Sequence, residues 1–291
     1  MTDRRLSTIA LTAMAMVAFA ANSVLCRMAL REAAIDPATF SVVRFLSGAV
    51  MLVIVAARWQ RLPAITAGSW KAAFVLAFYA LPFAFSYTQL SAGTGALILF
   101  GCVQVVMIVA ALGSGERPHV LQWAGLGLAL AGLVTLVFPG LTAPSPVAAA
   151  LMTTAGVSWG LYTLLGRAAS NPLMETTGNF VRAVPLIALT ALAVPQRIDV
   201  EPRGLALAVT SGVVATGLGY VVWYAALRGL SAMRASVVQL AVPLLAAIGG
   251  VLLLTETITA RLVVSTVLVL GGIAMAIAGG SGAAEAGRYD G

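Results

Sequence analysis

The side chains in this chain best equipped for chemistry are aromatic. Tyr79, Phe83, Phe85 and Tyr87 cluster around Pro82, Trp159 and Tyr162 form a second group, and Tyr220, Trp223 and Tyr224 a third. Tyr79, Pro82 and Phe83 follow i, i+3, i+4 spacing, as do Tyr220, Trp223 and Tyr224, so each set falls on one face of a helix. All lie inside long apolar runs. A tyrosine hydroxyl or an indole N–H needs a partner that lipid cannot supply. A hydrated cavity would supply it, and aromatic faces lining such a cavity could hold an ammonium group or stack on an apolar ring. Helix packing and interfacial anchoring compete with this reading for any one residue.

Polar side chains inside apolar runs point the same way. Asn22, Ser23, Ser86, Gln89, Gln104 and Gln239 are amides and hydroxyls of this kind. Pro243 frees the carbonyl of Gln239 from its usual intrahelical bond, which leaves an exposed carbonyl beside an amide. Hydrogen bonds across helices, about 0.6 kcal/mol each, are the alternative use for such groups. Arg44 and Arg182 are the two cations within apolar segments. Each costs up to about 2.5–3.5 kcal/mol to insert, so an inward-facing task is expected: a substrate carboxylate, a gate contact or a helix-end carbonyl. Snorkelling is the other option. Asn22, Arg44, Tyr79, Phe83, Gln104, Trp159, Tyr162, Arg182, Tyr220, Trp223 and Gln239 are therefore the candidate substrate contacts.

Other chemistries find little support. All ten Asp and Glu residues fall in expected loops or at helix ends. A proton-coupled pump usually carries a titratable group at membrane depth, so tight proton antiport is disfavoured. With His119 as the single histidine and Cys26 and Cys102 far apart, no metal-ligand set forms, and no metal or cofactor is expected. Gly156-Val157-Ser158-Trp159-Gly160 matches the nucleophile elbow G-x-S-x-G. That motif needs a strand-to-helix turn and a His/Asp pair, whereas here Ser158 lies in an apolar helix. A small-xxx-small packing face, letting another helix close in on Gly156 and Gly160, fits better. An intramembrane hydrolase using Ser158 is the rival reading from another class.

The elements that must position these residues are membrane helices. Of 291 residues 60% are hydrophobic and 9% charged, with mean hydropathy +1.00. So little charge suits a bilayer better than water. Ten apolar runs approach the roughly 20 residues that span a bilayer: 6–26, 38–57, 72–90, 94–112, 120–138, 147–166, 176–195, 205–227, 235–254 and 262–280. Strand alternation is absent. The net charge of +7 is spread along membrane margins, so nucleic acid is not an expected partner.

Residues 6–138 and 147–280 look like one unit repeated at a shift of 140 positions. Leu90-Ser91-Ala92 recurs as Leu230-Ser231-Ala232, Arg27 as Arg167, Glu116 as Glu256 and Gly132 as Gly272. Phe19 is matched by Trp159, and Phe83 by Trp223. Each copy has five spans, an odd number, so the second must lie inverted relative to the first, an arrangement common among secondary transporters. The expected fold is an all-α membrane protein of ten transmembrane helices, two inverted five-helix repeats (1–140 and 141–291) around a central cavity. Gaps on one side carry ten Lys/Arg, including Arg4, Arg5 and Lys71, against five on the other, including Arg27 and Arg31. The positive-inside rule puts both termini in the cytoplasm. Trp59, Trp70 and Trp123 fall at the same margin. The first 26 residues mimic a secretory signal, but their counterpart at 147–167 makes them the first helix of a repeat. Gly125, Gly127 and Gly132, with Gly271, Gly272 and Gly279, mark the fifth and tenth helices as packing or dimer-facing elements.

The pattern resembles the drug/metabolite transporter superfamily, in its ten-helix branch of two EamA-type repeats. The resemblance rests on Phe19-Ala20-Ala21-Asn22 and Trp159-Gly160-Leu161-Tyr162, the two Leu-Ser-Ala turns, Pro243, Gly-Glu-Arg at 115–117, Thr-Glu-Thr at 255–257 and the glycine-rich fifth helices. It departs at Val103, where the repeat would place a proline. It also lacks the membrane-embedded acid of the small multidrug transporters in its first helix. The resemblance implies a basket of helices 1–4 and 6–9 around a cavity, with helices 5 and 10 peripheral. It also implies a bacterial inner-membrane location and export of small molecules. Among its members, YddG-like exporters of aromatic and other apolar amino acids best match an aromatic lining without carboxylates. The expected partners are a small-molecule substrate and membrane lipid, with the chain a monomer or weak dimer. A nucleotide or sugar-phosphate antiporter is the alternative within transport.

Overall fold

The computed structural model describes residues 2–60, 66–113, 120–138, 143–166, 169–194, 198–227, 230, 238–239 and 241–286. Glu116, Arg117, His119, Arg167, Ser231, Ala232 and Arg234 lie outside the described residues. Ten helices occupy the described chain. They are α1 (Thr2–Arg31), α2 (Pro37–Gln60), α3 (Trp70–Tyr87), α4 (Ala92–Gly113) and α5 (Val120–Val137). Then come α6 (Pro146–Gly166), α7 (Pro172–Leu192), α8 (Pro202–Leu227), α9 (Ala241–Leu254) and α10 (Ala260–Ala286).

Local chemistry sets the starts. Asp36 Oδ1 accepts from the Thr39 N–H at 2.8 Å ahead of α2, Ser69 Oγ from Ala72 at 3.1 Å ahead of α3, and Asn171 Oδ1 from Met174 at 3.3 Å ahead of α7. Each side chain satisfies a backbone donor the helix leaves open. Proline opens α2, α6, α7 and α8, where its missing N–H costs nothing. The turn after α9 is sharper: Thr255 has φ +52°, an uncommon conformation for a β-branched residue.

Six helices are long and apolar enough to cross a bilayer: α1, α2, α3, α4, α6 and α8. α5, α9 and α10 hold shorter apolar stretches. α7 is diluted by Glu175, Thr176, Asn179 and Arg182 but has 21 residues, about 31 Å at 1.5 Å per residue. Two features depart most from the hydropathy reading. α1 continues past residue 26 to Arg31, because its terminal arginines bond to protein carbonyls rather than leaving for water. α8 contains a π-helical stretch, Ser211–Leu218, that no sequence pattern announces.

Contacts run chiefly between the first four helices and the sixth to ninth. α1 packs on α8 and α9, α2 on α7 and α8, α3 on α6 and α7, and α4 on α6 and α9. α5 and α10 pack mainly on each other. Their glycines make this possible: a Cβ on Gly132 would stand 2.8 Å from the Val269 nitrogen. Gly125 and Gly272 touch each other's backbone in the same way. Gly156 and Gly160 give α6 its close approach to α4, since Cβ atoms there would sit 2.8 Å from Leu99 O and from Val106 Cβ. Cys26 and Cys102 are buried free thiols.

Candidate functional site

Two adjoining cavities lie among these helices, sharing Phe19, Trp159 and Tyr220 as walls. The larger, about 450 Å³, runs to Gly166, Ala169, Pro172 and Glu175, where α6 ends and α7 begins. We call this the wide end. Its lining brings together Gln104, Trp159, Tyr162, Tyr220, Trp223 and Gln239 from the candidate set. The rings interlock: Trp159 stacks on Tyr162 at 5.6 Å between centroids and tilts against Tyr220 at 5.6 Å. Phe19 meets Tyr220 and Trp223 edge-on at 6.0 and 5.9 Å. Such contacts fix ring orientation while leaving apolar faces toward the cavity. Two of the tyrosine hydroxyls find protein partners. Tyr224 bonds Thr176 at 2.7 Å, and Asn179 Nδ2 donates to Tyr162 Oη at 3.4 Å.

The smaller pocket, about 30 Å³, lies deeper and contains Asn22, Ser23, Arg44, Tyr79 and Thr216. Arg44 Nη2 donates to Tyr79 Oη at 3.0 Å and Nε reaches Thr216 Oγ1 at 3.4 Å. Asn22 Oδ1 accepts from Ser211 Oγ at 2.8 Å. Ser211 and Thr216 both belong to the π-helical stretch of α8. A π turn widens the helix and re-aims side chains, and such turns recur at functional sites.

Beyond this pocket the passage stops at the closed end. Arg27, one turn after Ser23 on α1, pairs through Nε with Glu256 Oε1 at 3.1 Å. Its Nη1 donates to the carbonyls of Tyr87 and Thr88, both at 2.9 Å. Glu256 Oε2 accepts from the Ala92 N–H at 2.8 Å. The arginine therefore caps the C-terminus of α3 and the glutamate the N-terminus of α4, each matched to the local helix dipole. Arg31 donates to the Leu254 carbonyl. Arg27 and Glu256 side chains are only 13% and 10% exposed. A second seam joins the α1–α2 and α7–α8 loops. The Asp36 N–H donates to Asp199 O at 3.0 Å, the Glu201 N–H donates to Ala34 O at 2.8 Å, and Arg203 pairs with Glu32. Arg27 and Glu256 also border a polar bowl of about 360 Å³ that includes Arg31, Gln89, Ser91 and Thr94.

Two candidates stand apart from both cavities. Phe83 is fully buried behind the deep pocket, its ring 4.7 Å beneath the Arg44 guanidinium. Arg182 donates to Ala67 O, Thr66 O and Gly178 O, fastening the loop before α3 to α7. Its carbonyl partners belong to that loop and to its own helix. The lining also holds residues outside the candidate set: Phe19, Thr176, Asn179 and Tyr224 in the large cavity, Thr216 in the deep one. Thr176 and Asn179, three apart on α7, share a helix face. Glu175 at the wide mouth corrects the expectation of a lining without carboxylates. It sits in the first turn of α7.

Membrane-length helices around an aromatic cavity that is blocked at one end form the body of a membrane transporter. Comparison with known proteins defines the family. The EamA-like transporter family profile matches residues 6–138 and again residues 147–278. The chain belongs to that family. An uncharacterized protein of Pseudomonas aeruginosa is 49% identical over 279 residues, 96% of either chain. An uncharacterized transporter of Archaeoglobus fulgidus is 29% identical over 266 residues, 84% of this chain and 89% of its own. A crystal structure with 17% identity superposes with a TM-score of 0.62 over 91% of this chain and 95% of that one, a likeness of fold.

Proposed function

We propose that the protein exports small amphipathic metabolites, foremost aromatic and other apolar amino acids, across the bacterial inner membrane by alternating access. The observation that carries this reading is the aromatic cavity itself. Trp159, Tyr162, Tyr220 and Trp223 surround a space of about 450 Å³, within the range of small-molecule sites. Gln104 and Gln239 offer polar contacts in the same wall, and Asn22 and Arg44 do so deeper.

In this reading residues 1–140 and 141–291 are inverted repeats that rock about the cavity. Positive-inside topology would place both termini and the wide end in the cytoplasm, which makes this arrangement the inward-facing state. Arg27 and Glu256 hold the outer side shut, and export requires that pair to part. The chain acts as a monomer or weak dimer. A phosphorylated substrate would call for several converging cations, whereas among the described residues Arg182 is spent on carbonyls and Arg44 is the one Lys or Arg lining either cavity. The one acid lining the large cavity, Glu175, sits at its mouth in the first turn of α7, so flux should follow the substrate gradient. Counterflow of labelled phenylalanine in liposomes tests this. Exchange without an imposed proton gradient is expected. Uptake that demands one would contradict it, and a broad panel showing no competition by any apolar amino acid would refute the substrate class.

A further inference from the structure

We infer that the deep pocket is an anion subsite, in which Arg44 takes the carboxylate of the transported molecule while its apolar part stays among Trp159, Tyr162 and Tyr220. This rests on the reading that the adjoining cavity carries substrate.

The argument is a charge without its counterpart. Arg44 is 3% exposed. Its Nη2 donates to a neutral hydroxyl and its Nε to another at 3.4 Å, while its Nη1 has no hydrogen-bond partner. The guanidinium lies over the rings of Phe83, Phe45 and Tyr79, at 4.7, 5.2 and 5.4 Å from their centroids. Ring faces favour a cation but do not neutralise it. The other arginines packed into the body differ. Arg27 has a carboxylate and two carbonyls, and Arg182 has three carbonyls. Neither ion pair among the described residues includes Arg44. Buried charge is normally retained with a partner. Here the position of that partner is a pocket of about 30 Å³ lined by Asn22, Ser23, Tyr79 and Thr216.

Size and charge select the ligand class. The space is a small fraction of the 450 Å³ of the adjoining cavity, so it suits a compact group such as a carboxylate better than a ring. One guanidinium offers a fork suited to a planar monoanion and would leave a phosphate dianion half compensated. Phe19, Trp159 and Tyr220 border both spaces, so a carboxylate at Arg44 would leave an attached ring against the aromatic wall. Recognition would therefore run through the acid group. An aromatic amine lacking it would lose its main anchor.

Equilibrium binding on the purified protein tests this without any variant. Labelled phenylalanine is displaced by unlabelled phenylalanine, by 3-phenylpropionate (acid without amine) and by phenethylamine (amine without acid). The expected order places phenylpropionate within about tenfold of phenylalanine and phenethylamine about 10- to 100-fold weaker, the effect of losing a hydrogen bond to a charged group. Arg44→Gln should abolish that preference, and Arg44→Lys should keep part of it. Phenethylamine competing as well as phenylpropionate, or Arg44→Gln binding phenylalanine as wild type does, would overturn the subsite. If phenylalanine fails to bind at all, labelled 4-methylpentanoate separates the two readings. Binding that depends on Arg44 would uphold the subsite and reject the aromatic substrate, and no such binding would overturn the subsite as well.

Discussion

The two ends of the passage are built on opposite principles. At the closed end polar groups are matched one to one: Arg27 with Glu256 and two carbonyls, and Glu256 with the Ala92 N–H. At the wide end the wall is a set of rings in stacked, tilted and edge contact. Matched hydrogen bonds are lost steeply with distance and angle. Ring contacts tolerate offset and rotation. A closed end of the first kind is either shut or parted, while a wall of the second kind can accept ligands of varied shape. Such a division suits a transporter, whose gate must be bistable and whose site must be adaptable.

The sharpest way to break the contrast is to remove the latch. Glu256→Ala leaves Arg27 buried without its anion and the start of α4 without its cap. Deleting one partner of a buried pair costs about 3–5 kcal/mol, so the closed state should lose about 100- to several thousand-fold in relative population. A cysteine replacing Ser23, which lines the deep pocket, reports this when Cys26 and Cys102 are replaced by alanine. Its labelling by an impermeant maleimide from the outer side should accelerate by a factor in that range. Unchanged labelling would mean the pair does not hold the gate. The exposed Arg203–Glu32 pair, 61% and 46% accessible, serves as comparison: Arg203→Ala should change the rate by no more than about fivefold, because exposed pairs contribute about 0–1 kcal/mol.

The latch also marks the limit of what spacing along a chain reveals. Arg27 and Glu256 stand out in the sequence as repeat markers, yet 229 positions separate them and nothing in their spacing says they meet. Arg44 stands out because charge in an apolar run is costly, but its partner Thr216 lies in a π turn that leaves no periodic signature. The helices are legible because lipid enforces length and apolarity. The exceptions are α7, whose polar residues turn toward protein, and the end of α1, where arginines that end the apolar run stay helical. The rings at positions 79, 159, 162, 220 and 223 are legible because i, i+3, i+4 spacing is local. Phe19 has no such local pattern, and its one signal is its place as the repeat counterpart of Trp159.

The wide end can be sharpened with Trp159, which contacts Tyr79, Tyr162 and Tyr220 at 5.3, 5.6 and 5.6 Å and borders both cavities. Trp159→Ala should weaken phenylalanine binding roughly tenfold, since each aromatic pair contributes about 0.5–1.5 kcal/mol beyond burial. Trp159→Phe should recover most of it. Isothermal titration in detergent is the measurement, with leucine as second ligand. An equal loss for leucine would show that Trp159 shapes the cavity rather than stacking on a substrate ring.

The smallest effect belongs to Ser158, beside that tryptophan. It occupies the middle of the G-x-S-x-G match, where a hydrolase would need it as nucleophile. The fold sets it within a continuous helix, α6, with no strand-to-helix elbow to expose its Oγ. It is buried outside the lining of both cavities, and the flanking glycines are occupied in packing on α4. Ser158→Ala removes one hydroxyl and little volume, so counterflow should stay within about twofold of wild type, the range of a substitution that breaks no network. If the alanine variant instead lost all activity while keeping its melting temperature, the motif would regain its chemical meaning. The two ends would then have to be re-read as the approaches to a reaction centre rather than the gates of a passage.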